Sequence, residues 1–469
     1  MEKINLEKNN YDWSSINTFA NTPDRPMIYH YRNEERFSVS KELIIRAIEN
    51  QDREELIKYS NYFYRASSIY VRMVDYMANL LTFSHVIYPS LDSGADEVEK
   101  VNGEYFNRFS LEGLGKEVAL GVVRDGIFVA CERVLDDSIV FQVLPPAFCR
   151  MKAKAANGFV AEFNFSFFEQ FDDAVRDEII AQFPEEFAAL YSAYQSDSAM
   201  MWGTLPPEYT LACQLSSDLP LFGAVLVDIL EYEDSKKLDR LQATQKLTKL
   251  LVQKPPLNKE TNKPTIPAKE LTTLHSNLRR TVQSQGITVL TTPCDVDALD
   301  LAGGYQGKDE ATYAQKALDA VYNHAGIPAV LFASNSISGT VLQESISIDA
   351  ATILPILNQL QTWFNTRLAG LNYSARVIFP PATINNYFKL TQEYTGLAKE
   401  GYPTKLLALA CLNIDTTAAK GLGILEDSVD WKESSGGSSY DPANPRAKKD
   451  PKDLTDEGSK TREGEKNDD

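Results

Sequence analysis

The alternation of apolar and polar positions is most regular in residues 308–371, where two helical patterns flank a short irregular stretch. In the first pattern, apolar residues recur every three or four positions, at Ala314, Ala317, Leu318 and Val321. This spacing places them on one face of a helix. Gly326 followed by Pro328 is a typical stop signal. We therefore predict a helix that ends near residue 326.

The second pattern predicts a long helix that begins at Thr340, where Thr340 and Gln343 form a capping box. Its apolar positions are Leu342, Ile346, Ala350, Ile353, Leu357, Leu360, Phe364 and Leu368. The helix continues to Gly370, which gives a length of about 45 Å. Pro355 lies inside it and removes one backbone hydrogen bond, so we predict a kink at this position.

The stretch 327–339 joins the two predicted helices and is longer than the usual connection of a few residues. Its first half is apolar, and its second half is small and uncharged. That second half consists of Ser334, Asn335, Ser336, Ile337, Ser338 and Gly339. An ordinary connector between helices is one interpretation of this stretch, and its length argues against it.

The first 222 residues mix helical and strand patterns. Residues 1–37 are polar and are predicted to form an irregular arm. A helix should end near Asn50, and a single helix rich in Tyr and Phe is predicted for residues 53–82. An acidic loop is predicted for residues 90–104. Strands are predicted at 127–133, 139–144, 147–153 and 159–168, with two short helices at 171–182 and 184–195.

A small insert, residues 247–300, lies between two helical segments at 223–246 and 301–326. Its pattern predicts a strand, an amphipathic helix and a second strand. The insert and its flanks are basic, with Glu260 and Glu270 among their few acids. The basic residues are Lys246, Lys249, Lys254, Lys259, Lys263, Lys269, Arg279 and Arg280. They could meet an acidic partner or a phosphate backbone, or simply form a solvated surface.

After the long helix, a strand is predicted at 375–379 and three short helices at 383–426. The tail, residues 433–469, is almost devoid of apolar residues and is predicted to be disordered. The elements together predict a mainly helical α+β fold.

Charge and chemical motifs narrow the function. The chain has 469 residues, 43% of them hydrophobic, and a formal net charge of −18. Such an acidic chain is a poor non-specific DNA binder, although it could surround DNA without gripping it. The five cysteines are scattered, which favours reduced thiols over a disulfide framework or a zinc site.

The sequence contains no phosphate-binding loop, no dinucleotide fingerprint, no nucleophile elbow and no zinc-protease motif. We therefore expect no enzymatic activity, no catalytic residue, no metal and no cofactor. A hydrolase built from carboxylates that are distant in sequence stays open as an alternative. We expect no membrane association, because the sequence has no signal-peptide core and no apolar run of membrane-spanning length.

The order of these parts resembles the portal proteins of tailed bacteriophages, of the type common in long-tailed phages. Residues 324–365, HAGIPAVLFASNSISGTVLQESISIDAATILPILNQLQTWFN, are similar to the tunnel loop and kinked helix of that family. Residues 377–414 are similar to the segment that leads into its crown, and residues 123–151 with 158–168 are similar to its wing. The insert corresponds to its clip. The resemblance covers most of residues 40–430.

This resemblance implies an architecture of wing, stem, clip and crown. It assigns the wing to 38–222, stem helices to 223–246 and 301–326, and the clip to 247–300. It further assigns the tunnel loop to 327–339, the long kinked helix and following strand to 340–382, and the crown to 383–432. The uncharged residues from Ser334 to Gly339 would face DNA, and the basic clip residues Lys254, Lys259, Lys263, Lys269, Arg279 and Arg280 would face partners.

The resemblance also implies a head-to-tail homo-oligomeric ring, typically of twelve copies, at one vertex of the virion capsid. Double-stranded DNA would pass through it during packaging and ejection without tight binding. The partners implied are the terminase large subunit, the head-tail adaptor and the major capsid or scaffolding protein, with assembly in the bacterial host cytoplasm. Aromatic helices such as 53–82 are expected to supply contacts between copies. A capsid-associated scaffold or adaptor that conducts no DNA is the structural alternative.

Overall fold

The computed structural model describes residues 39–135, 137–155, 158–181, 183–247, 250–253, 258, 265–282, 288–291, 313–331 and 339–428. By internal contacts the chain divides into two units, residues 1–415 and 416–469. The described elements are mainly helical with a few small sheets, which confirms the predicted α+β class. None of the described helices combines the length and the apolar character that crossing a membrane requires.

The first three helices are α1 (Lys41–Glu49), α2 (Arg53–Ala66) and α3 (Ser68–Ala78). The prediction of one helix over 53–82 is therefore wrong. The backbone is extended at Ser67, whose side chain accepts a hydrogen bond from the N–H of Tyr70 and so caps α3.

Three of the six aromatic residues of α2 and α3 are buried in the core of their own chain. Tyr59, Phe63 and Tyr70 are at most 4% exposed, whereas Tyr62 is 41% exposed. The expectation that this aromatic face supplies contacts between copies is therefore wrong for Tyr59, Phe63 and Tyr70. Their apolar surface is already removed from water within one subunit.

Strand β1 (Val86–Pro89) is followed by α4 (Ala95–Glu104) and α5 (Leu111–Asp125). The predicted loop at 90–104 is thus mostly helix. Its acidic residues Asp96 and Glu97 lie in the first turn of α4, where negative charge favours the helix. Val98 and Val101, three positions apart, point into the core. Two apolar residues were too few to reveal this helix by periodicity.

The middle of the described chain contains β2 (Ile127–Val134), β3 (Ile139–Val143), β4 (Cys149–Ala155), β5 (Gly158–Asn164), α6 (Asp173–Ile180), α7 (Glu185–Ser196), β6 (Trp202–Thr204) and β7 (Thr210–Gln214). Its strands form two antiparallel three-stranded sheets, with strand orders β3-β2-β7 and β4-β5-β6. The predicted strand at 159–168 ends early, at Asn164, where the side chain of Asn164 accepts a hydrogen bond from the N–H of Ser166 and starts a 3-10 turn.

Strand β2 separates two hydrophobic cores. Its residues Phe128 and Ala130 belong to a large core that also includes α3 and α5. The alternate residues Ile127 and Val129 belong to a smaller, aromatic core between the two sheets and α7. Because successive side chains of a strand point to opposite faces, one strand can serve both cores. This explains why β2 is apolar at nearly every position instead of alternating.

The second half of the described chain contains most of the elements assigned to function. These are α8 (Leu226–Leu247), β8 (Leu250–Gln253), α9 (Ala268–Val282), β9 (Thr288–Thr291), α10 (Tyr313–Ala325), α11 (Gly339–Ile353), α12 (Pro355–Gly370), β10 (Ala375–Ile378), α13 (Tyr387–Lys399) and α14 (Lys405–Cys411). Strand β10 pairs antiparallel with β1. In the second unit the structure describes one helix, α15 (Thr416–Ser428).

Candidate functional site: a helix pair, its insert and a divided helix

Helices α8 and α10 form an antiparallel pair. The start of α8 and the end of α10 lie in the large core. Leu226 and Ile229 of α8, with Val321 and Tyr322 of α10, are buried there. At the far end, the carboxylate of Asp239 accepts hydrogen bonds from the N–H of Tyr313 at 3.2 Å and of Ala314 at 2.9 Å. Asp239, a residue of α8, thus caps the N-terminus of α10.

At the core end of the same pair, Nδ1 of His324 lies 2.7 Å from a carboxylate oxygen of Asp228. The imidazole is largely exposed, so this contact is worth little free energy. Asp228 and Asp239 are eleven residues apart, which corresponds to about 16 Å along α8. The two contacts therefore align α8 and α10 over roughly three turns.

The insert between α8 and α10 contains β8, α9 and β9, in the order that the sequence predicts. The two strands are parallel, with Leu250 opposite Thr288 and Gln253 opposite Thr291. A parallel pair requires a crossover between its strands, and α9 supplies it.

Of the predicted partner-facing basic residues, Lys269 and Arg280 are exposed on α9, and Arg279 belongs to the same helix. Lys254, Lys259 and Lys263 lie outside the described residues. The assignment of this basic group to a partner surface stays a prediction.

The predicted DNA-facing residues Ser334, Asn335, Ser336, Ile337 and Ser338 lie outside the described residues, and Gly339 is the first residue of α11. The two helices that the loop joins, α10 and α11, are described. The role of the loop therefore stays a prediction.

The long helix of residues 340–370 is divided at Leu354 into α11 and α12, with Pro355 as the first residue of α12. Leu354 keeps helical dihedral angles (φ −49°, ψ −34°), and its N–H still bonds to the carbonyl of Ala350 at 3.0 Å. Pro355 has no N–H to offer the carbonyl of Ala351, so the backbone hydrogen-bond series is interrupted at this point. The division lies at the proline where the sequence predicted the kink.

Beyond this division, α12 is attached to two sheets by amide side chains. Gln359 accepts a hydrogen bond from the N–H of Gln214 at 3.1 Å and donates one to its carbonyl at 2.7 Å. Asn365 does the same to Val377, at 2.8 and 3.0 Å. Each amide copies the donor and acceptor pattern of a neighbouring strand and satisfies both backbone groups of the residue it contacts.

A buried ion pair also holds α12. Arg367 of α12 pairs with Glu132 of β2, whose side chain is fully buried. The hydroxyl of Tyr105 donates a hydrogen bond of 2.5 Å to the same carboxylate. Burial raises the pKa of Glu132, and the positive charge of Arg367 opposes this shift. The pair joins α12 to strand β2, in the same sheet as the Gln214 that Gln359 contacts.

Helix α11 is held less firmly. It buries Ala350 and Ile353 near its end, and the hydroxyl of Tyr76 donates a hydrogen bond of 2.7 Å to Asp349. Burial raises the pKa of Asp349, and the hydrogen bond from Tyr76 opposes the shift. Val341 and Ile348, by contrast, are exposed. The two halves of the divided helix therefore differ in how strongly they are bound to the rest of the chain.

Sequence reasoning found the helices of this region but missed the residues that attach them, among them Gln359, Asn365, Arg367 and Asp239. One signal was present, because Asn365 and Arg367 interrupt an otherwise apolar helix face next to Phe364 and Leu368. The partners of these residues could not be read from the sequence, since Gln359 and Gln214 are 145 positions apart.

Two features of the described part of the chain bear on catalysis, its metal-binding groups and its cavity. No three His, Cys, Asp or Glu residues are arranged there to hold a metal ion. A small cavity is lined by Phe109, Ser110, Leu114, Glu117 and Phe141. Burial raises the pKa of Glu117 to about 7. The lining of this cavity contains no second carboxylate, which hydrolysis by paired carboxylates would require.

Comparison with known proteins gives matches among solved structures. No known protein family matches the sequence, and no curated protein matches it. Among solved structures, a chain of the "virion of native gene transfer agent (GTA) particle" is 9% identical, with a TM-score of 0.40. The alignment covers 80% of this chain and 99% of that one.

A chain of the "neck of native GTA particle computed with C12 symmetry" is 11% identical, with a TM-score of 0.41, and the alignment covers 77% of this chain and 93% of that one. The corresponding neck of the empty particle, computed with C6 symmetry, gives 9% identity and a TM-score of 0.41, with 76% and 93% of the two chains covered. At these identities and TM-scores the likeness neither establishes a family nor assigns a function.

Replacing Gln359 by Ala should destabilise the protein by about 1–3 kcal/mol, because both backbone groups of Gln214 lose their partner. The matched control is Asn358→Ala, one position earlier on the same helix, where the side chain is exposed. We expect the control to change the free energy of unfolding by less than about 0.5 kcal/mol. Urea denaturation of both variants measures the difference. Equal midpoints would contradict a structural role for the amide.

The raised pKa of Glu117 predicts a pH-dependent stability. As the pH rises from about 4.5 to about 7, the unfolded chain releases this proton while the folded chain retains it, so stability falls. Glu117→Gln removes this loss, and its melting temperature should exceed that of the wild type near pH 8 but not near pH 5.

The control for Glu117 is Glu112→Gln on the same helix. The hydrogen bond from Lys116 lowers the pKa of Glu112 although burial opposes the shift, so its contribution to stability is lost at low pH. This variant should therefore be less stable than the wild type at neutral pH and should approach it in acid. The same pH trend in both variants would contradict the assignment.

Proposed function

We propose that this chain is a portal protein of a phage-like particle. About twelve copies would form a ring at one vertex of the capsid, and double-stranded DNA would be packaged and ejected through the channel. The observation that carries the proposal is the order of the described elements. An antiparallel helix pair holds a strand-helix-strand insert at its far end, and its second helix leads through residues 326–338 to a helix divided at a proline.

The physical argument begins with the anchoring of that divided helix. Since α12 is fixed to two sheets and α11 buries only residues near its end, the start of α11 is less restrained than α12. In a ring with this segment turned inward, the loop residues 334–338 of every copy would surround the axis. They carry no charge, so DNA can pass without being held.

The exposed apolar residues support assembly. The hairpin of α13 and α14 exposes large side chains, and every residue of α13 remains at least partly accessible. The exposed residues are Tyr387, Phe388, Leu397, Tyr402, Leu406 and Leu412. Apolar groups of this size concentrated on two short helices typify a surface that contacts another protein. Head-to-tail contacts close into a ring when the rotation per copy divides the circle.

The remaining parts of the proposal follow from the same ring. The chain would have no chemistry of its own and would work in the virion after assembly in the host cytoplasm. The insert, with Lys269 and Arg280 exposed, would dock the terminase large subunit and later the head-tail adaptor. The opposite end would contact the capsid or scaffolding protein. The net charge of −18 would keep DNA from adhering to the wall.

The mass of the purified protein tests the ring. Multi-angle light scattering is expected to give a mass near twelve times the 52.4 kDa of one chain, and negative-stain images should show rings with a central hole. A scaffold, adaptor or hydrolase would instead give a monomer or dimer. A chain that stays monomeric at high concentration would refute the proposal.

Replacing Ser334–Ser338 by a bulky rigid sequence tests the DNA-facing loop. Packaging and retention of DNA should both decline, because the axis of the ring would be obstructed, while the mass of the ring stays unchanged. The control is an equally long replacement with Gly and Ser, which keeps the segment small and uncharged and should preserve packaging. Wild-type packaging with the bulky sequence would show that these residues do not face the channel.

A further inference from the structure

Glu117 of helix α5 lines a small cavity at the edge of the large core. The cavity has a volume of about 10 Å³, and the other residues that line it are Phe109, Ser110, Leu114 and Phe141. Leu114 and Phe141 belong to the large core. Ser110 is exposed, whereas Phe109 and Glu117 are partly accessible. The cavity therefore opens to the surface on the side of Ser110.

The carboxylate of Glu117 is poorly compensated by positive charge. Among the described residues, Arg124 is the one charged group that acts on it, seven positions further along α5, or about 10 Å along the helix axis. The guanidinium group of Arg124 is already bonded to Asp125, at 2.7 and 3.0 Å. Burial raises the pKa of Glu117 to about 7, and the charge of Arg124 opposes this shift only in part.

The other cations close to the cavity in sequence are bonded to other groups. Lys116 pairs with Glu112 at 2.5 Å. Arg108, just before the first lining residue, donates a hydrogen bond to the carbonyl of Leu135. Strand β3, which also contributes to the lining, contains no charged residue. A positive charge that neutralises this carboxylate would therefore come from outside these elements.

The size and the lining of the cavity select the kind of cation. A volume of about 10 Å³ holds one group of about the size of a water molecule. An ammonium group is that compact, whereas a guanidinium group is planar and larger. The rings of Phe109 and Phe141 meet at the cavity with their centroids 5.2 Å apart, and aromatic rings attract cations to their faces. A water molecule also fits by size but leaves the carboxylate without a counter-charge.

We propose that this cavity binds a primary ammonium group, as carried by a lysine side chain or by a free amine. The ammonium group would pair with the carboxylate of Glu117, and its alkyl chain would leave the cavity past Ser110. The inference does not depend on the ring proposed above. The experiments separate the two sources, a lysine of a neighbouring copy and a small amine from solution.

Thermal unfolding of the full chain with butylammonium chloride, which mimics a lysine side chain, tests the binding. Near pH 8 we expect saturating butylammonium to raise the melting temperature by about 1–2 °C over an equal concentration of sodium chloride. Near pH 5 the carboxyl group of Glu117 is protonated, so this increase should disappear. No increase near pH 8 would overturn the inference.

Two matched controls separate the cavity from other sites. Glu117→Gln keeps the shape of the side chain but removes its charge, so butylammonium should leave the melting temperature of this variant unchanged. Butyltrimethylammonium carries the same charge on a head too large for the cavity, and it should not stabilise the wild type. Equal increases in the wild type and Glu117→Gln, or with the two cations, would place the effect elsewhere and overturn the inference.

Carbodiimide coupling of the purified protein identifies the source of the ammonium group. This reagent joins a carboxylate to an amine in contact with it, and the pair of Glu112 and Lys116 serves as the internal control. Amide bonds from Glu117 to a lysine, found in linked dimers on a denaturing gel and reduced by butylammonium, would assign the group to a neighbouring copy. Ring-sized particles that butylammonium stabilises but that form no such dimers would exclude that copy and assign the site to a free amine.

The same measurements keep this inference distinct from the proposed function. A monomeric chain that butylammonium stabilises through Glu117 would refute the ring and support the ammonium site. Ring-sized particles without that stabilisation would support the ring and overturn the site.

Discussion

The architecture depends on the polar attachment of helix α12. Gln359 and Asn365 satisfy both backbone groups of Gln214 and Val377, and Arg367 neutralises the buried Glu132. Hydrogen bonds of this kind contribute modestly when they are made, but they are expensive to leave unmade once water is excluded. The helix can therefore dock in one register only. Its apolar face, which buries Trp363 and Phe364, then closes the large core.

Helix α11 and the pair of α8 and α10 are attached to the rest of the chain less firmly than α12. Helix α11 continues α12 across the proline but buries only residues near its end. It is attached by the hydrogen bond from Tyr76 to Asp349 and by one from Asn385 to the carbonyl of Gln343. The pair of α8 and α10 is buried where α8 begins and α10 ends, and Asp239 joins the two helices at the other end of α10. In the proposed ring, the firmly attached elements would pack between copies, and the less restrained helices would be free to meet DNA or partners.

The distribution of charge along the chain is consistent with the proposed ring. An acidic chain would form an acidic ring, and repulsion between like charges favours the passage of DNA over its binding. Basic residues concentrate in the insert, where a protein partner would dock. The buried carboxylates Glu132 and Asp349 help to attach helices, because each accepts a hydrogen bond from a tyrosine of another element.

The sequence by itself determined the local elements of this protein. The period of Leu342 to Leu368 gave the long helix and Pro355 its division, and the strand patterns gave the insert. It failed at Ser67, where one capping side chain outweighs a continuous apolar pattern, and at α4, which has only two buried valines. Only the tertiary structure decided how the elements attach, because the contacts from Gln359 to Gln214 and from Arg367 to Glu132 join distant residues. Periodicity records which face of a helix is buried, but it carries no information about which backbone groups that face will meet.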